Sequence, residues 1–191
     1  MSMPTDDELN AIVEMIVQRT LRASTSSEDP PQVDIANPSK AIAIGADHGG
    51  FKMKQMLGAH LTKNGYQLLD CGTHDTRSVD YPDFALAVAE KVSSGQAWRG
   101  IVIDGAGIGS CMAANKVAGV RAAMCYDHAT AVNSREHNDA NVLSLGAGLI
   151  GEALALQIVE TWLATGFAGG RHARRVEKIM AIESKVKVSG R

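Results

Sequence analysis

Aromatic side chains are scarce: three Phe, three Tyr and two Trp make up 4% of the 191 residues. That leaves little for base stacking or for a carbohydrate-binding platform. Cysteine is equally sparse. Cys71, Cys111 and Cys125 form an odd, unclustered set without a CxxC spacing. Such a set is no disulfide framework and no structural zinc site, and free thiols in a reducing cytoplasm are the expectation. HExxH is absent and no His/carboxylate cluster has metal spacing, so no metal is predicted. No apolar run reaches the roughly 18–20 residues that span a bilayer. Nineteen basic and 21 acidic residues leave a formal charge of −2, with no electrostatic footprint for nucleic acid or an anionic membrane. The N-terminus carries Asp6, Asp7 and Glu8 where a secretory leader would be basic.

Apolar residues at 45% and charged residues at 21% are ordinary globular usage, and the length suits one α/β domain with an appendage. Residues 1–23 read as one amphipathic helix. Thr5 and Glu8 form a capping box, and Leu9, Ile12, Val13, Ile16, Val17 and Thr20 share one face. Three of the five prolines fall in residues 24–39 among several serines, the composition of an extended linker. The tethered helix is marginal alone in water, so its apolar face needs a partner.

From residue 40 to 191 short apolar runs alternate with helical periodicity. Strands are expected at 41–45, 67–71, 100–104, 121–125 and 142–145. Helices are expected at 52–64, 84–92, 107–116, 128–137, 152–165 and from the basic turn at 169–172 onward. This alternation predicts parallel βαβ units in an open, doubly wound sheet of five mainly parallel strands, with helices on both faces.

Ligands of such sheets bind outside the carboxyl ends of the strands. That rule selects residues 45–50, 104–110 and 126–128. Gly105, Gly107 and Gly109 follow a strand and open a helix, which makes either an anion nest of backbone N–H groups or a tight packing turn. The spacing is neither GxGxxG nor a P-loop. Asp104 can cap that helix or act as a general base, and Asp47-His48 offers an acid/base pair at the neighbouring strand end. The polar run 134–141 reads as a solvated helix end, with Asn in a left-handed cap, or as part of a site. Arg171, Arg174 and Arg175 start a helix against its dipole. An anionic ligand explains them, as does pairing with surface carboxylates. Together these groups suggest proton transfer on a small phosphorylated substrate.

Six segments in order carry a resemblance: 45–52 (GADHGGFK), 79–82 (VDYP), 105–109 (GAGIG), 113–116 (AANK), 134–142 (SREHNDANV) and 169–172 (GGRH). Over roughly residues 40–183 the chain resembles the type B ribose-5-phosphate isomerase family, which also contains the galactose-6-phosphate isomerase subunits. The resemblance implies a Rossmann-like three-layer α/β/α sandwich and no cofactor. It implies a homodimer or dimer of dimers whose active sites combine residues of two chains. The implied reaction opens a sugar-phosphate ring and moves a proton between C2 and C1 through an enediolate. On that resemblance His137 helps open the ring, and Asp47, His48, Tyr81 and Asn138 hold the sugar. Backbone amides of Gly105, Gly107 and Gly109 face the enediolate oxygen, and Arg171 and Arg175 take the phosphate.

The chain departs from the family pattern. Asp104 stands where many members carry the proton-transferring cysteine, and Ser110 where another branch has a glutamate. Ala106 replaces a usual Thr or Ser. Gly148 replaces an arginine of the phosphate site. A carboxylate can still take the proton, and Asp104 resembles the aspartate of one galactose-6-phosphate isomerase subunit. Three other readings follow: a different sugar phosphate, a catalytically weak binding or assembly subunit paired with an active paralogue, and a nucleotide-binding module. The appended helix resembles the encapsulation peptides of bacterial microcompartment cargo, which implies shell or cargo partners for residues 5–22. The alternative is packing on its own domain or on a sister subunit.

Overall fold

A computed structural model describes residues 41–189, with side chains as far as residue 183. The helix and linker expected in residues 1–39 lie outside the described residues. The strands are β1 (Ala41–Ala46), β2 (Gln67–Asp70), β3 (Arg99–Asp104), β4 (Ala122–Met124) and β5 (Val142–Gly146). The helices are α1 (Phe51–Lys63), α2 (Tyr81–Ser93), α3 (Ile108–Ala114), α4 (His128–Glu136), α5 (Glu152–Ala164) and α6 (Arg171–Ser189). The sheet order is β2-β1-β3-β5-β4, and every pairing is parallel. The expectation of a mainly parallel sheet thus becomes a wholly parallel one.

Alternation along β1 sorts its side chains onto two faces. Ile42 and Ile44 join Leu57 and Leu61 of α1 and Ile158 and Trp162 of α5. Ala43 faces the other way, into a core with Val88 and Ala89 of α2, Val102 and Val142. Two apolar cores, one on each face, make the three-layer sandwich. The order reverses between β1 and β3, so the crevice outside their carboxyl ends is the topological switch point.

Two local features differ from the sequence expectation, and a third was not addressed by it. Helix α2 begins at Tyr81 rather than Phe84 because Pro82 fits the first turn, where no N–H partner is required. The left-handed residue after α4 is Asp139, at φ 46°, not an asparagine. Its carboxylate bridges Arg135 at 2.7 Å and Arg121 at 3.1 Å, which holds the turn from both sides. At the free edge of β4, the Asn115 side chain accepts from Ala122 N–H at 2.8 Å and donates to Ala122 C=O at 2.9 Å. One amide side chain thus stands in for a neighbouring strand.

Candidate active site

The β1 and β3 ends meet at the switch point. Asp47 N–H donates to the Ile103 carbonyl at 3.1 Å, and the Cβ position of Gly49 lies 3.5 Å from Gly105 N. Asp47 is 8% exposed, and its Oδ1 accepts from Gly50 N–H at 2.9 Å. His48 is exposed, and its Nδ1 accepts from Val79 N–H at 3.3 Å. That bond assigns the neutral ring's proton to Nε2, which keeps a donor for a ligand. Asp47 and His48 do not bond each other, so they serve as two separately anchored groups.

The turn after β3 is built around Asp104, which is 5% exposed. Its Oδ1 accepts from Ala106 N–H at 2.8 Å and makes a very short bond with Gly107 N–H. Its Oδ2 accepts from Ser110 N–H at 2.9 Å. The capping role foreseen for Asp104 is therefore present, and it consumes three donors of the turn. Gly107, at φ 77°, supplies the left-handed backbone that lets the turn close. Among the described residues Ile108 and Gly109 N–H have no backbone acceptor, as expected at a helix start. The Cβ position of Gly105 opens into empty space. Tyr81 lies close against Gly109: a Cβ there would sit 2.5 Å from the ring. The ring is 40% exposed at the lip of this crevice.

Gly148 also adjoins this turn. Its N–H donates to the Gly105 carbonyl at 2.9 Å, and a Cβ at 148 would approach that same oxygen to 2.9 Å. The loop packs too closely here for a larger residue without movement.

The remaining expected residues gather at the opposite end of the sheet. His137 caps the C-terminus of α4 and is half-buried. Its ring stacks on His172, with centroids 4.1 Å apart, and Asn133 contacts its Nδ1 at 2.9 Å. Ala168 N–H donates to the Glu136 carbonyl at 3.1 Å, which brings the start of α6 beside His137. Asn138, Arg171 and Arg175 are exposed there. Among the described residues, none of Arg171, Arg174 and Arg175 has a carboxylate at ion-pair distance. Gly100 pairs with Val142 at this end and Asp104 with Gly146 at the other, about 13 Å of strand at 3.3 Å per residue. One chain thus carries two half-sets of groups at opposite ends.

The loop 126–128 belongs to neither half-set. Asp127 caps α4 in a reciprocal box with Thr130, and those hydrogen bonds hold its carboxyl below the usual range. Burial pushes the thiols of Cys71, Cys111 and Cys125 up, so none stands ready as a thiolate near neutral pH. Among the described residues no group of three His, Cys, Asp or Glu could hold a metal ion, and no helix is long and apolar enough to cross a membrane.

A family model described as Ribose/Galactose Isomerase matches residues 42–179. The chain belongs to the ribose/galactose isomerase family. Ribose-5-phosphate isomerase B of Escherichia coli is 46% identical over 146 residues, covering 76% of this chain and 98% of that protein. The structure of Clostridium thermocellum ribose-5-phosphate isomerase B matches with a TM-score of 0.76 at 56% identity, covering 76% of this chain and 99% of that one. The Mycoplasma genitalium enzyme with bound ribulose-5-phosphate matches with a TM-score of 0.74 at 40% identity, covering 76% and 97%. The family match begins one residue inside β1.

The fold and the β1/β3 crevice of this family member were both legible from motif order. Lys54, Asp70 and Val79 are the residues that sequence reasoning missed as parts of the crevice. Val79 lay inside a motif already singled out, at 79–82, and Lys54 inside the helix expected at 52–64, but nothing in their local pattern announced partners in another loop.

Proposed function

We propose that the chain is an aldose–ketose isomerase interconverting ribose 5-phosphate and ribulose 5-phosphate through an enediolate. The observation that carries this reading is the meeting of two turns at the switch point, Asp47-His48 from β1 and the amide-lined turn of Asp104 from β3. Asp47, His48 and Tyr81 hold the sugar hydroxyls. Asp104 takes the C2 proton of the opened aldose and returns it at C1. One of its oxygens must leave the turn to do so, and leaving Ala106 and Gly107 N–H exposes two donors for the enediolate oxygen. Proton abstraction and oxyanion stabilisation are then one motion.

His137 and Asn138 open the ring, and Arg171 and Arg175 bind the phosphate. These groups lie too far along the sheet to reach Asp104 within one chain, which supports a homodimer, or a dimer of dimers, with each site drawn from two chains. No metal or cofactor has a part in the scheme. The test is conversion of ribose 5-phosphate by the purified protein with no metal added. Absence of turnover with that sugar, with activity on another sugar phosphate, would redirect the assignment toward a galactose-6-phosphate type of substrate. Activity that arises only with a second subunit would favour a paired assembly role. Asp104 held in the turn and the close packing at Gly148 favour that second reading.

For residues 5–22 we propose docking on microcompartment shell or cargo proteins, with the enzyme otherwise cytoplasmic. The sequence pattern and the start of the family match at residue 42 support it. Deleting residues 1–23 should leave turnover unchanged and abolish co-sedimentation with shells; loss of folding would make the segment structural instead.

A further inference from the structure

We propose that the buried ion pair between Lys54 and Asp70 is a positioning device that locks the turn carrying Asp47 and His48. Lys54 lies in the first turn of α1 and is 2% exposed. Its Nζ donates to both carboxylate oxygens of Asp70, at 2.5 and 2.7 Å, and stands 6.0 Å from the Phe51 ring. Asp70 ends β2, and its Oδ1 also accepts from Gly72 N–H at 2.9 Å. Gly72 C=O accepts from Ala46 N–H at 2.7 Å, and Thr73 N–H returns to Ala46 C=O at 2.6 Å. On the other side, Lys54 N–H donates to Gly50 C=O at 2.9 Å, and Gly50 N–H holds Asp47. Chain and hydrogen bonds thus close a ring around Asp47: Ala46, Gly50, Lys54, Asp70, Gly72 and back to Ala46.

The same pair reaches His48 by a second route. Asp70 anchors the start of the segment 70–80, and Val79 at its far end donates to His48 Nδ1. Both residues of the β1–α1 turn are therefore referenced to a loop that Lys54 pins. An ion pair buried at one end adds little net stability over apolar side chains of the same shape, because desolvation offsets the attraction. Geometry is what the pair supplies: a charged fork at fixed length between a helix and an edge strand. Lys54 and Asp70 touch no substrate in this scheme and act through Asp47 and His48.

This role rests on the isomerase reading of the crevice, so its test has an arm that needs no substrate. Lys54→Met, Lys54→Arg, Asp70→Asn and the double variant Lys54→Met/Asp70→Asn are compared by amide hydrogen exchange, then by kcat and KM. In Lys54→Met and the double variant, exchange at Ala46, Gly50, Gly72 and Thr73 should quicken about tenfold, with β3 and β5 amides still protected. The kcat should fall about ten- to a hundredfold, with KM moving less, and Lys54→Arg should restore most of both. Faster exchange throughout the sheet, or an unchanged kcat beside a loosened turn, would overturn the proposal. Unchanged exchange at those four amides would overturn it as well. If Lys54→Met does not fold, Asp70→Asn, which removes the charge and one of the two acceptors of Nζ while its amide oxygen still accepts from Gly72, should quicken exchange at Ala46, Gly50 and Thr73 and lower kcat in the same way. An inactive wild-type protein would refute the isomerase reading, while the exchange arm still decides whether the pair pins the turn.

Discussion

The imidazole rings of His137 and His172 lie face to face, 4.1 Å between centroids and 3° from parallel. His172 is 9% exposed, and its neighbours are basic. Burial first, and then the charges of His137, Arg171 and Arg175, lower its pKa below the ordinary 6.5. A neutral His172 ring can stack on its neighbour without bringing another cation among the arginines.

A pH dependence of stability follows from that lowered value. As pH falls below 6.5 the unfolded chain takes up this proton before the folded chain does. Stability should therefore decline from pH 6.5 downward until the folded ring also titrates, and be fully present above that window. Asp70 and Asp127, whose values are lowered from 3.8, act in a separate and more acidic window. Urea unfolding at a series of pH values between 7.5 and 5 should show the slope, and His172→Gln should flatten it. An equal slope in that variant would assign the effect to other groups.

Asp104→Asn should lower kcat by a factor of about 10²–10⁴, the range for losing a general base. It should also cost about 1–3 kcal/mol, because an amide cannot accept from all three turn N–H groups through two oxygens. Steady-state kinetics beside thermal unfolding separates the two effects. A variant of lowered Tm with its kcat intact would leave Asp104 as a cap alone.

Arg171→Ala should raise KM more than it lowers kcat, since it removes binding made in both ground and transition states. The guanidinium is exposed and makes no ion pair among the described residues, so its loss should leave Tm nearly unchanged. An unchanged KM would take the phosphate away from this residue.

Gly109→Ala should push the Tyr81 ring off the glycine turn, because the new methyl would sit 2.5 Å from it. The cost in stability is set by how far an exposed ring can swing and should stay within the 1–3 kcal/mol typical of overpacking. Activity should suffer more than folding. Tyr81→Phe with Gly109 intact gives the control, since it keeps the ring and removes only the hydroxyl.

Much of this was legible in the sequence for a physical reason. Apolar runs such as 42–44 and 101–103 are short, bounded by glycine and fully buried, and their alternation with helical periodicity leaves few topologies. The glycine turn was visible because it needs a left-handed residue at 107. The three N–H partners of Asp104 were not, since hydrogen bonds over three to six residues depend on how the turn closes. Nor was the pairing of Lys54 with Asp70: a lysine in a helix and an aspartate sixteen residues later look like two solvated charges until the sheet brings them together. The left-handed Asp139 escaped for a similar reason, because its two arginine partners come from different elements. The separation of His137 and Arg171 from Asp104 needed the strand order itself.

Asn115 has a consequence beyond its own strand. An unpaired β4 edge is a place where a neighbour's backbone could join and extend the sheet. With both groups of Ala122 already satisfied by a side chain, that route is blocked at the first residue of the strand. Such a chain can be crowded to high local concentration and still meet its neighbours through side-chain surfaces, where contacts form and dissolve reversibly instead of setting into a continuous β-structure.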